Sequence, residues 1–173
     1  MSKLCVVVGG GMVAHRFVEA LRSRDEAGEW RVTVLAEEPR PPYDRVALTS
    51  YFENRDPELL NLGEAHLWQD PNVKLRRGAK VVSVDPAAHT VITENGMSHA
   101  YDSLVLATGS YAFMPPVPGR ELPGCFVYRT IDDVAALRGY VETLQERNPK
   151  RRVRGAVIGG GLLGLEAAGA LKK

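Results

Sequence analysis

The sequence predicts an α/β chain: a domain with a central parallel sheet and an inserted β-meander, followed by the first βα half-unit of a second such domain. Three observations carry this. A continuous apolar run, Leu4 to Val8, ends in three glycines and leads into a segment with helical periodicity. The same pattern returns at Gly155 to Gly161, with Gly9 matching Gly159 and Gly11 matching Gly161. Between the two, short apolar runs are separated by turn dipeptides such as Asp85-Pro86 and Asn95-Gly96.

Leu4 to Val8 suits a parallel strand covered on both faces, because every position is apolar. From Met12 to Leu21 the apolar residues Val13, Phe17 and Leu21 recur every four, with Ala14 and Ala20 beside them, which makes a helix face. Asp25, Gly28 and Trp30 fit a turn, and Val32, Val34 and Ala36 alternate as a strand ending at Glu37 and Glu38. Strand, glycine turn, helix and strand make a βαβ unit. Three prolines keep residues 39–45 out of any central strand or helix interior. A helix is expected to begin within Val46 to Phe52, and a looser one within Pro57 to Gln69.

Val73 to Leu75, Ala79 to Val84 and Thr90 to Thr93 read as short strands, with a hairpin at Asn95-Gly96. Tyr101 to Ala107 returns as an apolar strand closed by Thr108-Gly109-Ser110. Pro115, Pro116, Pro118 and Gly119 mark an extended loop. Ile131 to Leu144 reads as a helix, with Thr130 as its cap and Asp133 in the place of the capping-box acid. The basic run Lys150 to Arg154 reads as a solvated approach to a strand over Ala156 to Ile158, and Leu162 to Leu171 as a helix. These readings divide the chain into a first domain over 1–120, a connecting segment with a helix over 121–152, and the start of a second domain over 153–173. The remainder of that second domain is expected beyond Lys173.

Composition excludes several classes of function. Twenty-two basic residues against twenty-one acidic ones give a formal charge of +1, so no broad field points to nucleic acid or a membrane surface. No apolar run reaches the roughly 20 residues of a membrane span, and the N-terminus lacks the form of a signal peptide. Two cysteines, Cys5 and Cys125, cannot supply a CxxC redox pair or the four thiolates of an iron–sulfur cluster. Cys5, inside an apolar run, reads as a core residue, and a cytoplasmic, reducing setting is expected. The four histidines are scattered without metal-ligand spacing, and His15 reads as structural.

Gly9-x-Gly11-x-x-Ala14 follows a predicted strand and opens a predicted helix. In that place Gly9 permits the tight turn, Gly11 lets backbone approach a pyrophosphate, and Ala14 lets helix and strand pack closely. The helix N-terminus supplies amide donors and a positive dipole. An acid at the end of the second strand, Glu37 or in its stead Glu38, would hold ribose hydroxyls. A carboxylate there favours FAD or NAD over NADP, whose extra phosphate would meet a like charge. The fold is thus Rossmann-like.

The strings VVVGGGMVAHRFVEAL and VTVLAEEPRPPYDRVALTSYF, with the later YDSLVLATGSYAFMPPVPG, FVYRTIDDVAAL and GAVIGGGLLGLEAA, cover nearly the whole chain. They resemble the N-terminal part of the large subunit of assimilatory NAD(P)H-dependent nitrite reductases, within the pyridine-nucleotide-disulfide oxidoreductase superfamily. Relatives that reduce ferredoxins usually carry a lysine where Ser50 stands here, and disulfide reductases carry a cysteine pair that this chain lacks. The resemblance implies that Gly9, Gly11, Met12 and Glu37 contact the adenosine-pyrophosphate half of FAD, and that Arg45 lies near the flavin phosphates. It implies that Lys80 and Val81 form the adenine-edge segment, that Thr108, Gly109 and Ser110 form a turn beside the dinucleotide, and that Arg129 and Asp133 lie near the flavin. A local cap or ion pair with Asp132 or Asp133 is the alternative for Arg129.

The reaction implied is hydride transfer from NAD(P)H to FAD, with electrons passing to iron–sulfur centres and siroheme for reduction of nitrite to ammonia. Those last cofactors would lie beyond Lys173, and a small subunit is a possible partner. The cofactors carry the chemistry, so no catalytic acid or base is assigned to this segment. Two other readings stay open: a stand-alone reductase feeding a ferredoxin, rubredoxin or oxygenase, and a non-catalytic dinucleotide-sensing module. Gly159-x-Gly161-x-x-Gly164, with Glu166 behind it, is expected to begin the NAD(P)H site.

Overall fold

The computed structural model describes residues 2–63 and 65–172. Its elements are β1 (Lys3–Val8), α1 (Met12–Arg22), β2 (Trp30–Leu35), α2 (Leu48–Asn54), β3 (Val73–Arg76), β4 (Val81–Asp85), β5 (Thr90–Thr93), β6 (Ser98–Ala100), β7 (Ser103–Leu106), α3 (Ile131–Arg147) and α4 (Leu162–Lys172). The chain divides into two compact units.

The first unit comprises Met1–Asp44 and Asn61–Gly109. Its parallel sheet has the order β3-β2-β1-β7. β1 and β2 pair with Cys5 opposite Val32 and Val7 opposite Val34. These residues pack beneath α1, whose Ala14 and Val18 are fully buried on the same core. Each valine so buried contributes about 1.5–3 kcal/mol. The alternate residues Val6, Val8 and Leu35 face the other way and are covered by Val91, Ala79, Val81 and Tyr101 of the meander. The buried run Cys5 to Val8 of β1 is thus used by two cores, one on each face.

The meander is an antiparallel sheet in the order β4-β5-β6, inserted before β7 as expected. Gly96, with φ of +80°, makes the turn between β5 and β6. β6 itself escaped the sequence reading, because Ser98-His99-Ala100 shows no apolar alternation. The looser helix expected within Pro57 to Gln69 resolves into two single-turn 3-10 helices, Pro57–Leu60 and Ala65–Gln69.

The second unit comprises Arg45–Leu60 and Ser110–Lys173. In it α3 starts at the expected capping box. The Asp133 amide donates to Thr130 Oγ1 at 3.1 Å, and the Thr130 amide donates to Asp133 Oδ2 at 2.8 Å. The strand expected over Ala156 to Ile158 does not form, and Ile158 is 85% exposed. A strand exists only through hydrogen bonds to a neighbour, and among the described residues no neighbour pairs with this segment. The helix after it, α4, forms as expected.

Candidate functional site

The turn between β1 and α1 is held from both sides. The Gly9 amide donates to the Leu35 carbonyl at 2.9 Å, and the Ala107 amide donates to the Val8 carbonyl at 2.8 Å. Gly9 has φ of +112°, and a Cβ there would stand 2.1 Å from the Ala107 carbonyl oxygen. A Cβ on Gly10 would stand 2.4 Å from the Ala36 Cβ. Gly11 is different: a Cβ added there meets nothing within 4 Å. It is the N-cap of α1, its backbone is extended, and no side chain caps the helix. With no side-chain cap and open space over Gly11, this positive end of the helix dipole suits an anion. A pyrophosphate fits this cradle, and FAD is the group that the sequence reading places there.

Glu37 follows the buried Ala36 at the end of β2 and is exposed. Its Oε1 lies 3.0 Å from Lys80 Nζ, an exposed pair that contributes little stability and yields readily to a ligand. Glu38 instead accepts a hydrogen bond from the hydroxyl of the buried Tyr43 at 2.9 Å. The two adjacent acids are thus distinguished: Glu38 anchors the proline-rich loop, and Glu37 stands at the strand end. The Tyr43 bond was not read from the sequence, although Pro-Pro-Tyr-Asp-Arg is an unusual loop. Lys80 also uses its carbonyl, which accepts from the Glu94 amide at 2.8 Å, just before Val81 opens β4. Thr108 and Gly109 follow β7, and the Thr108 amide nitrogen would be 3.1 Å from a Gly9 Cβ.

In the second unit, four further sequence-predicted residues are linked. Arg45 Nη1 donates to the Arg129 carbonyl at 3.3 Å, and Arg129 Nε donates to the Ser110 carbonyl at 2.6 Å. Asp133 accepts from the backbone amides of Arg129 and Thr130. The Arg129 side chain therefore reaches Ser110, while its backbone joins the helix cap. The Tyr128 hydroxyl donates to Thr49 Oγ1 at 3.3 Å. Burial pushes the Tyr128 phenol up; the Thr49 bond opposes it, and the charge of Glu166 adds a smaller push in the same direction as burial.

The second glycine turn has its own close approach. Gly159 has φ of +129°, and a Cβ on Gly164 would stand 2.0 Å from the Gly159 carbonyl oxygen. Only glycine at position 164 lets the first turn of α4 lie against the loop. Gly161, like Gly11, meets nothing within 4 Å, and Glu166 is exposed on α4.

His15 is buried on α1, its ring tilted 5.8 Å from that of Trp68. Its Nε2 has no hydrogen-bond partner. Among the described residues no group of three His, Cys, Asp or Glu side chains could hold a metal ion, and no helix is long and apolar enough to cross a membrane.

Comparison with known proteins agrees with this geometry. The pyridine nucleotide-disulphide oxidoreductase family matches residues 3–173. The chain is 48% identical over 168 residues to a nitrite reductase [NAD(P)H] large subunit from Klebsiella oxytoca, covering 97% of this chain and 17% of that protein. It is 42% identical over 173 residues to the nitrite reductase (NADH) large subunit of Escherichia coli K12, covering 99% of this chain and 20% of that protein. The chain therefore spans about a fifth of the length of these relatives. Among solved structures it resembles the ferredoxin reductase for the CYP199A2 system from Rhodopseudomonas palustris. That match has a TM-score of 0.80 and 30% identity, over 98% of this chain and 40% of that one. The chain belongs to the pyridine nucleotide-disulphide oxidoreductase family.

Proposed function

We propose that this chain is the FAD-binding portion, and the opening of the NAD(P)H-binding portion, of an assimilatory nitrite reductase large subunit. The observation that carries the reading is the open cradle over Gly11 at an uncapped helix N-terminus, with Glu37 at the end of the adjacent strand. The backbone amides that follow Gly11 hold the FAD pyrophosphate, and Met12 lies in the same first turn. Ala14 keeps α1 close to the sheet so that those amides point at the phosphates. Glu37 exchanges its ion pair with Lys80 for the ribose hydroxyls, and Lys80 and Val81 flank the adenine. Thr108, Gly109 and Ser110 line the dinucleotide, while Arg45, Arg129 and Asp133 keep the roles toward the flavin that the resemblance gives them.

FAD, when bound, supplies the acceptor for hydride from NAD(P)H and the donor of electrons to iron–sulfur and siroheme centres elsewhere in the enzyme, where nitrite becomes ammonia. Gly159, Gly161, Gly164 and Glu166 begin the nicotinamide-dinucleotide site. The higher identity to nitrite reductase large subunits than to the ferredoxin reductase supports this assignment over a stand-alone reductase. The test is anaerobic addition of NADH, then nitrite, to the intact protein. Bleaching of flavin absorbance by NADH and its return with nitrite are expected. A bleached flavin that nitrite does not reoxidise would refute the nitrite assignment.

A further inference from the structure

One face of the first unit carries cations that its own carboxylates do not answer. β2 and β3 pair with Val32 opposite Val73, Thr33 opposite Lys74 and Leu35 opposite Arg76. Val32, Val34 and Val73 belong to the core under α1. Strand alternation therefore sends Arg31, Lys74 and Arg76 to the opposite face, the one the meander partly covers. All three are exposed. His99, on β6 of the meander, lies within their field: burial first, and then the charges of Arg76 and Lys74, hold its imidazole below the usual value. Among the described residues, none of these four side chains has an ion-pair or hydrogen-bond partner. Asp102, beside Leu4 on the neighbouring strand, is engaged by the Leu4 backbone amide.

The chain as a whole is balanced, with 22 basic and 21 acidic residues, so this concentration is local. Like charges placed together without partners cost stability unless something offsets them. Lys74 and Arg76 lie on an edge strand, where cations deter edge-to-edge pairing. Arg31 and His99 do not lie on that edge, so this role does not account for them.

We propose that the face carrying Arg31, Lys74, Arg76 and His99 docks an acidic polypeptide segment. The spacing favours a polypeptide over a small anion. Lys74 and Arg76 are two residues apart on one strand, roughly 6.6 Å along it. An extended chain with carboxylates at alternate positions repeats with the same period. A phosphate site would instead need donors converging on one point. Three cations and a histidine are too few for the multiple phosphate contacts that nucleic acid requires.

The test uses the intact protein and a fluorescent extended peptide with aspartates at alternate positions, followed by anisotropy over a range of salt. The expected result is saturable binding that weakens as salt rises, and that falls about tenfold in the double variant Lys74→Glu/Arg76→Glu. The milder Lys74→Gln/Arg76→Gln pair falls by less, and Lys150→Glu leaves binding unchanged. Circular dichroism confirms that each variant is folded. Binding unaffected by the double charge reversal overturns the proposal, as does equal binding of a peptide with lysines in place of the aspartates. Displacement of the peptide by an equal concentration of inorganic pyrophosphate also overturns it, because it would show an anion site.

Discussion

Replacing Gly9 by alanine tests whether the first turn is built as a glycine-only passage. The residue has φ of +112°, and the new methyl would stand 2.1 Å from a backbone oxygen, that of Ala107. Backbone strain in such a region costs about 1–3 kcal/mol. Forcing the end of β7 away from β1 adds an overpacking cost of about 1–3 kcal/mol. The sum, about 2–6 kcal/mol, is a large part of the roughly 5–15 kcal/mol that stabilises a domain. For a domain of this size it lowers the melting temperature by on the order of 10 °C. Gly11→Ala is the internal control. Its backbone is extended and its surroundings are open, so its cost stays within about 1 kcal/mol. Thermal unfolding of both variants, without added flavin, gives the comparison. A Gly9→Ala protein as stable as wild type would refute the turn geometry argued here.

Three further outcomes follow from the same structure. Gly161→Val, with nothing within 4 Å of the added Cβ, should leave the fold intact and weaken NADH binding to the intact enzyme by at least about tenfold; titration of flavin reduction with NADH reads this. Thr130→Ala removes the capping-box hydroxyl of α3 and should cost about 1 kcal/mol in urea unfolding. Arg22 links Asp25 and Asp70 at 2.6 and 2.9 Å. The Trp30 amide, with further help from the Glu29 amide and Arg22 and against burial, holds the Asp25 carboxyl low; burial pushes Asp70 up, but the Asn72 amide and Arg22 outweigh it. Both folded values lie below the unfolded one, so their stabilisation is present above about pH 4 and is lost as pH falls toward the folded values. Acid unfolding of Asp70→Asn should accordingly show a shallower loss than wild type over that range.

Much of the frame was legible because its signals are local. The Leu4–Val8 run, the glycines after it and the four-residue apolar spacing of α1 each report a structure formed by neighbours in sequence. The capping box at Thr130 and Asp133 and the turn at Gly96 are local in the same sense. What escaped depends on residues distant in the chain. Arg22 meets Asp70 across 48 positions, and Arg129 meets the Ser110 carbonyl across 19. No periodicity announces either contact. The segment Ala156–Ile158 is the converse case. Its apolar run reads as a strand, yet among the described residues it lacks a partner and forms no regular secondary structure, because pairing decides what composition only permits. In the candidate site the glycines were legible from their spacing. The distinction between Glu37 and Glu38 needed the buried Tyr43 hydroxyl.

The central claim is that the open cradle over Gly11 holds the FAD pyrophosphate. The most direct measurement is the FAD released per chain on denaturing freshly purified intact protein, for wild type and Gly11→Val, with both shown to be folded by circular dichroism. Stoichiometric FAD from wild type and little from the variant is the result predicted, since the valine side chain would fill the space that the phosphates require. Equal FAD from the two proteins, or a folded wild type that neither carries FAD nor takes it up, would contradict the account.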